Sequence, residues 1–361
     1  MRKRLWFSGA VVIALVAAMP LGGCYYVQAI NGQVDLLRKR EPIDDVLTDA
    51  SLAEDTRRKL DLVRTARRFA TDELLLPDNG SYTTYADLER DYVVWNVFAA
   101  PEFSLTPKTW CFPIVGCVAY RGYFSQQAAE RQGERLAEQG YDVFVGGVPA
   151  YSTLGRFEDP VLNTMMRWSD ADLIATLFHE LAHQRLFIKN DTGFNESFAT
   201  AVAEEGLRRW FASRGEDDAM TGFHRRDDFR RELSELANAA RDDLARIYDS
   251  QSSEQAKREQ KAQRIDRLRE EAAELAGLRG FSGPGWLGGV VNNARLASVG
   301  LYNGDVPAFR EVLAQCNRDL PCFYAEVERL SGLDPDDRRE RMNALASASI
   351  QPGIAADGQR Y

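Results

Sequence analysis

The sequence predicts an α+β protein, predominantly helical, with a small sheet preceding a histidine-bearing helix and a long helical hairpin inserted after that helix. Three observations carry the prediction. Most of the chain repeats apolar residues at steps near three and four. One stretch, residues 92–145, is instead aromatic and β-branched in short runs. Residues 225–279 are charge-rich yet keep a helical apolar spacing. With 361 residues, 45% hydrophobic and 27% charged, the chain can bury a core sizeable enough for one large or two ordinary domains, which excludes wholesale disorder. The organisation expected is a leader over 1–23, a helical region over 24–90, a sheet plus the core around the histidine-bearing helix over 91–224, the hairpin over 225–280 and a helical region over 281–361.

The leader opens with Arg2-Lys3-Arg4 and continues in an apolar run from Leu5 to Ala18, too short for a spanning helix. Leu21-Gly22-Gly23-Cys24 resembles the lipobox of bacterial lipoproteins, whose Cys is lipidated and becomes the first mature residue. The alternative is an uncleaved N-terminal anchor. In both cases the body is exported to the bacterial cell envelope. The lipoprotein resemblance implies membrane attachment through a lipid on Cys24, and Tyr25 after it favours the outer membrane, facing the periplasm. Loss of the leader's three basic residues makes the net charge more negative than the −9 of the whole chain. So acidic a protein is a poor phosphate neutraliser, which argues against nucleic acid as a partner.

Helices are expected over Gln28–Arg40 and Ser51–Leu76. In the second, Leu52, Leu60, Val63, Ala66, Phe69, Ala70 and Leu74 share the helical period, Ser51 and Glu54 match a capping box, and Pro77-Asp78-Asn79-Gly80 forms a turn. Residues 92–98 and 141–145 read as strands, and 110–124 as a strand pair around Pro113 and Gly116, giving a sheet of three to five strands. Gln126–Gln139 is a short helix closed by Gly140. Asp170–Ile188 and Phe194–Arg214 are apolar helices joined by a turn at 189–193. The hairpin breaks at Asp249-Ser250-Gln251-Ser252-Ser253. Cys111, Cys117, Cys316 and Cys322 form two close pairs, for which local disulfides are the default in an oxidising compartment. Three pairings are possible, and the spacing disfavours a four-Cys zinc site.

The chemistry concentrates in 178-FHELAHQ-184. His179 and His183 are four apart on a helix, so both imidazoles leave one face and can bind one Zn2+ ion. Glu180 is rotated by about a hundred degrees from His179, which places a carboxylate beside the open coordination position. There it can act as general base towards water that zinc has made acidic, for attack on an amide carbonyl. Position 189 is Lys, so the third histidine of the metzincin pattern is missing. Instead 194-FNESFAT-200 resembles the Asn-Glu-x-Phe-Ala motif of aminopeptidase N-type gluzincins, whose Glu completes a two-His, one-Glu site. That resemblance makes Glu196 the third ligand and implies a gluzincin-like core. Only twelve residues separate His183 from Glu196, fewer than in that family, and by separation alone Glu204, or its neighbour Glu205, is an alternative ligand.

Together with 114-IVGCVAYRGYF-124, 142-DVFVGGVPAYSTLG-155 and 292-NNARLASVGLY-302, this segment resembles a bacterial family of lipoprotein aminopeptidases over most of residues 24–350. The resemblance implies a zinc-dependent peptidase acting on peptide or protein substrates. Its oxyanion donor would be Tyr302, with Tyr151 and His224 as further candidates. Residues 148–155 could pair with an extended peptide. Arg121 could bind a substrate carboxylate or brace the sheet. Two other functions stay open at this point: an endopeptidase acting on envelope proteins, and a non-catalytic, metal-stabilised lipoprotein that binds a protein partner through its hairpin.

Overall fold

The computed structural model describes residues 23–112, 116–150, 153, 158–299 and 305–349. Helix α1 (Gly23–Arg38) lies against sheet residues: the Gln28 side chain accepts from the Phe124 amide at 3.1 Å and donates to the Gly122 carbonyl. The chain then enters β1 (Arg40–Pro42), which pairs antiparallel with β2 (Thr84–Ala86). β2 in turn runs parallel to β8 (Val161–Leu162). Residues 24–90, expected to be helical, thus also supply two strands. Helix α2 (Glu54–Asp72) buries Leu60, Val63, Ala66 and Ala70, as its periodicity requires. The capping box at Ser51 does not form. Ser51 is engaged by the carboxylate of Asp49, which accepts from its amide and its hydroxyl, and the helix starts after Ala53 without a side-chain cap. The helix also stops earlier than expected. Arg67, buried within it, donates to the Ser81, Pro77 and Asn79 carbonyls and so ties down the turn that follows.

Among the described residues the strands expected to form one sheet divide between two, and β1, β2 and β8 make a third. In the largest, β3 (Val94–Pro101) is central, antiparallel to both β6 (Arg121–Tyr123) and β7 (Tyr141–Val148). Trp95, Val97 and Ala99 alternate onto one face, which helix α3 (Gln126–Ala137) covers with Ala129 and Leu136. The strand pair β4 (Trp110–Phe112) and β5 (Gly116–Val118) stands apart, with Cys111 opposite Cys117 and joined to it by a disulfide.

The main core packs α2 with helix α4 (Asp170–Arg185), helix α5 (Thr192–Ala212) and the C-terminal helices α9 (Val306–Gln315), α10 (Leu320–Ser331) and α11 (Pro335–Ser349). Cys316 and Cys322 are disulfide-bonded across the α9–α10 turn, so both cysteine pairs close locally. The hairpin is α6 (Asp217–Asp249) and α7 (Glu254–Leu278), starting eight residues earlier than the charge pattern suggests. It carries its own apolar cluster, including Phe229, Leu233, Leu244, Ile265 and Leu268. Arg258 and Lys261 tie it to the sheet through Glu102 and Asp142, at 2.7 and 2.6 Å. The short helix α8 (Asn293–Val299) follows it, with Asn293 donating to the carbonyls of Pro101 and Glu102.

Candidate metal centre

Helix α4 begins where Ser169 caps the amide of Asp172 and ends at Arg185, three residues before the expected Ile188. The reversal that follows is built by polar side chains. Asn195 accepts from the amide of Ile188 and donates to its carbonyl, at 2.8 and 2.7 Å. Asn190 adopts a left-handed backbone with φ of 66°. Asp191 caps α5 through the Phe194 amide and is itself held by the buried Arg338 of α11 at 2.8 Å. Helix α5 therefore starts two residues before Phe194, and its first turns are delivered to the histidine face of α4.

Three sequence-predicted ligands meet there. The Nε2 atoms of His179 and His183 are 3.1 Å apart, and Glu196 places Oε2 3.2 Å from the first and Oε1 3.6 Å from the second. Among the described residues these three form a group whose ligand atoms all lie within 4.8 Å of one another. His183 is almost fully buried, while His179 and Glu196 are about a fifth to a quarter exposed. Burial by itself would raise the Glu196 carboxyl, but hydrogen bonds from both histidines and their charge bring it down to about 2. Two imidazole nitrogens and a carboxylate converging on one point is a donor set suited to zinc, and three protein ligands leave the fourth tetrahedral position open. The shorter gap to Glu196 is no obstacle, because the reversal is tight and the residue lies in the second turn of α5.

Glu180 and His179 line a cleft of about 460 Å³ together with Trp168, Thr176 and Thr200. The hairpin lines the same cleft with Phe223, Asp227 and Arg230. The two alternative ligands are committed elsewhere. Glu204 lines the cleft but accepts a two-pronged ion pair from Arg310 at 2.6 and 2.8 Å. Glu205 is buried among Arg208, Arg209 and Arg318; burial would raise its carboxyl, and these cations lower it. His224 is exposed on α6, beside Phe223. Arg121 lies over the ring of Tyr25 at 4.1 Å, at the junction of α1 and the sheet. Tyr302 and Tyr151 lie outside the described residues, as does half of 148–155, and the side chain of Cys24 is likewise outside them.

A family model described as "Putative aminopeptidase" matches residues 24–342. The chain belongs to that family. Membership supports a peptidase-like function and peptide substrates. No curated protein matches, and neither does any solved structure. Sequence reasoning missed the hairpin's share of the cleft. The available signal was that Phe223, Asp227 and Arg230 fall at i, i+4 and i+7, so charged residues continue the face that a buried aromatic begins.

Proposed function

We propose that this protein is a zinc-dependent aminopeptidase, held at the outer membrane by a lipid on Cys24 and facing the periplasm. The observation that carries the peptidase reading is the convergence of His179, His183 and Glu196 on one point, with Glu180 beside them on the wall of an open cleft. When bound, zinc would lower the pKa of water towards neutrality and polarise the scissile carbonyl. Glu180 takes the proton given up by the attacking water and passes it to the leaving amine. Glu196 would offset part of the charge of a bound metal, and its position at the exit of the reversal holds it against both histidines. The leader signature and Cys24 support the envelope part of the reading.

Metal analysis of the purified protein, with cleavage mapping on a peptide library, tests the first part. Glu180→Gln should cut the hydrolysis rate by about 10²- to 10⁴-fold with zinc content unchanged; a fully active variant sinks the mechanism. Cys24→Ser should move the protein from the membrane to the soluble periplasmic fraction, and continued membrane attachment would refute the lipid anchor.

A further inference from the structure

Four carboxylates line the cleft beside the metal centre: Asp172, Glu180, Glu204 and Asp227. Glu180 has its role in the proposed chemistry. Asp172 is engaged by Ser169, Arg230 and Arg226, with its nearest arginine nitrogen at 3.1 Å. Glu204 is neutralised by Arg310. Asp227 differs, because among the described residues it makes no hydrogen bond or ion pair and meets its charged neighbours only at longer range.

Leaving a half-buried carboxylate without a cation is costly unless something supplies one. Burial pushes the Asp227 carboxyl above its ordinary range, and the nearby charge of Glu204 pushes it further; Arg230 and Arg310 only partly oppose this. A cationic group arriving in the cleft would meet an acceptor whose capacity no protein cation has used. The same cleft holds His179 and Glu180, so that group would belong to a molecule positioned for the chemistry. Asp227 stands on α6, which also gives the charged hairpin a part in the site: it lines the cleft together with the helix that bears His179 and Glu180.

We propose that Asp227 is the ammonium-binding residue of the cleft and that it takes the free α-ammonium of a peptide, so that the hairpin sets amino-terminal specificity. This rests on the peptidase reading for its substrate class. The ammonium group could also come from a lysine side chain, and the experiment separates the two sources.

The test measures binding, so that it does not depend on turnover. The full-length chain carrying Glu180→Gln, with zinc supplied, is titrated with one C-terminally labelled hexapeptide in three forms. These have a free amino terminus, an acetylated terminus, or an acetylated terminus with lysine at the first position. The free form should bind about 10- to 100-fold more tightly than the acetylated one, as expected for a charge-assisted hydrogen bond. Asp227→Asn should remove that difference and leave the affinity for the acetylated peptide unchanged; Asp227→Glu, which keeps the charge, should retain much of it. Equal affinity for free and acetylated peptides with Asp227 intact would overturn the proposal. So would binding of the acetylated lysine peptide as tight as the free form, or a preference for free termini that survives Asp227→Asn. Asp227-dependent capture of free termini by a protein that never cuts peptides would refute the peptidase reading and leave this subsite standing. Cleavage that ignores both the terminus and Asp227 would do the reverse.

Discussion

Two helical pairs of the molecule, α4/α5 and α6/α7, treat polar residues in opposite ways. The α4/α5 pair is enclosed on nearly every side, so any polar group in it is costly unless it is used. Its buried polar residues are engaged: the Nε2 of His183 faces the other ligands, although its buried Nδ1 has no partner, Asn195 braces the chain reversal, Ser197 accepts from the Asp305 amide and Glu205 gathers three arginines. The α6/α7 pair buries one stripe on each helix and leaves the rest to solvent, where i,i+3 and i,i+4 ion pairs such as Arg231–Asp228 and Arg267–Glu271 cost little and stabilise little. A charge in the first pair is therefore informative, and a charge in the second is not, except where the hairpin turns a face towards the cleft.

Glu196 gives the sharpest way to break that comparison. As one of three proposed ligands, it should on conversion to Gln lower zinc affinity by more than the 10- to 100-fold typical of losing a group that only orients a ligand. The check is competition against a chelating dye. The same residue makes a metal-free prediction. Its folded-state carboxyl, at about 2, lies below the ordinary 4.5, so ionised Glu196 stabilises the fold above pH 4.5. That contribution fades as the pH falls from 4.5 to about 2. Urea unfolding of the chelated protein at pH 6 and pH 3 should show wild type losing more stability than Glu196→Gln. Equal losses would mean that the carboxylate is not held as the geometry requires. An exposed hairpin acid such as Glu259, changed in the same way, should alter neither readout.

This contrast also explains what could be read from the sequence. The α4/α5 pair was legible because its few polar residues stand out against an apolar background and carry a local spacing: His179, Glu180 and His183 in one turn, and Glu196 soon after the reversal. The hairpin was legible as a fold element through its apolar stripe and its Ser-rich break, though not its true start at Asp217. Its part in the site was not legible. Asp227 is one acid among many in the chain, and only the packing of α6 beside α4 shows that it lines the same cleft as His179. The Arg310–Glu204 pair joins residues 106 apart, beyond any local pattern. The sheet was foreseen in kind but not in connection. β1 and β2 are too short to show alternation, and β2 takes its second partner, β8, from some 75 residues further along.

A smaller effect tests how tightly the two pairs are packed. Gly206 of α5 sits where an added Cβ would come within 2.6 Å of the Phe178 ring and 2.7 Å of Leu74. Phe178 precedes His179 and is fully buried, stacked near Phe69 at 6.1 Å. Gly206→Ala should therefore destabilise the protein by about 1–3 kcal/mol, as overpacking does, despite alanine's better helix propensity. It should also weaken zinc binding by displacing the metal helix. Thermal unfolding with and without zinc would show both effects, and a neutral result would mean that the two helices have room to separate.

The smallest effect comes from the same substitution in the other pair. Gly277 lies in the last turn of α7, where an added Cβ meets nothing within 4 Å. Alanine there gains helix propensity and removes unfolded-state freedom without any clash. The expected change is a stabilisation of about 0.4–1 kcal/mol, read as a raised urea midpoint with an unchanged slope. Zinc affinity should not move, because α7 contributes nothing to the ligand group. Opposite signs for Gly206→Ala and Gly277→Ala would show that the hairpin tolerates change wherever it faces solvent. A loss of stability at Gly277 would instead mean that this end of α7 is covered in solution by a surface that the isolated chain does not supply.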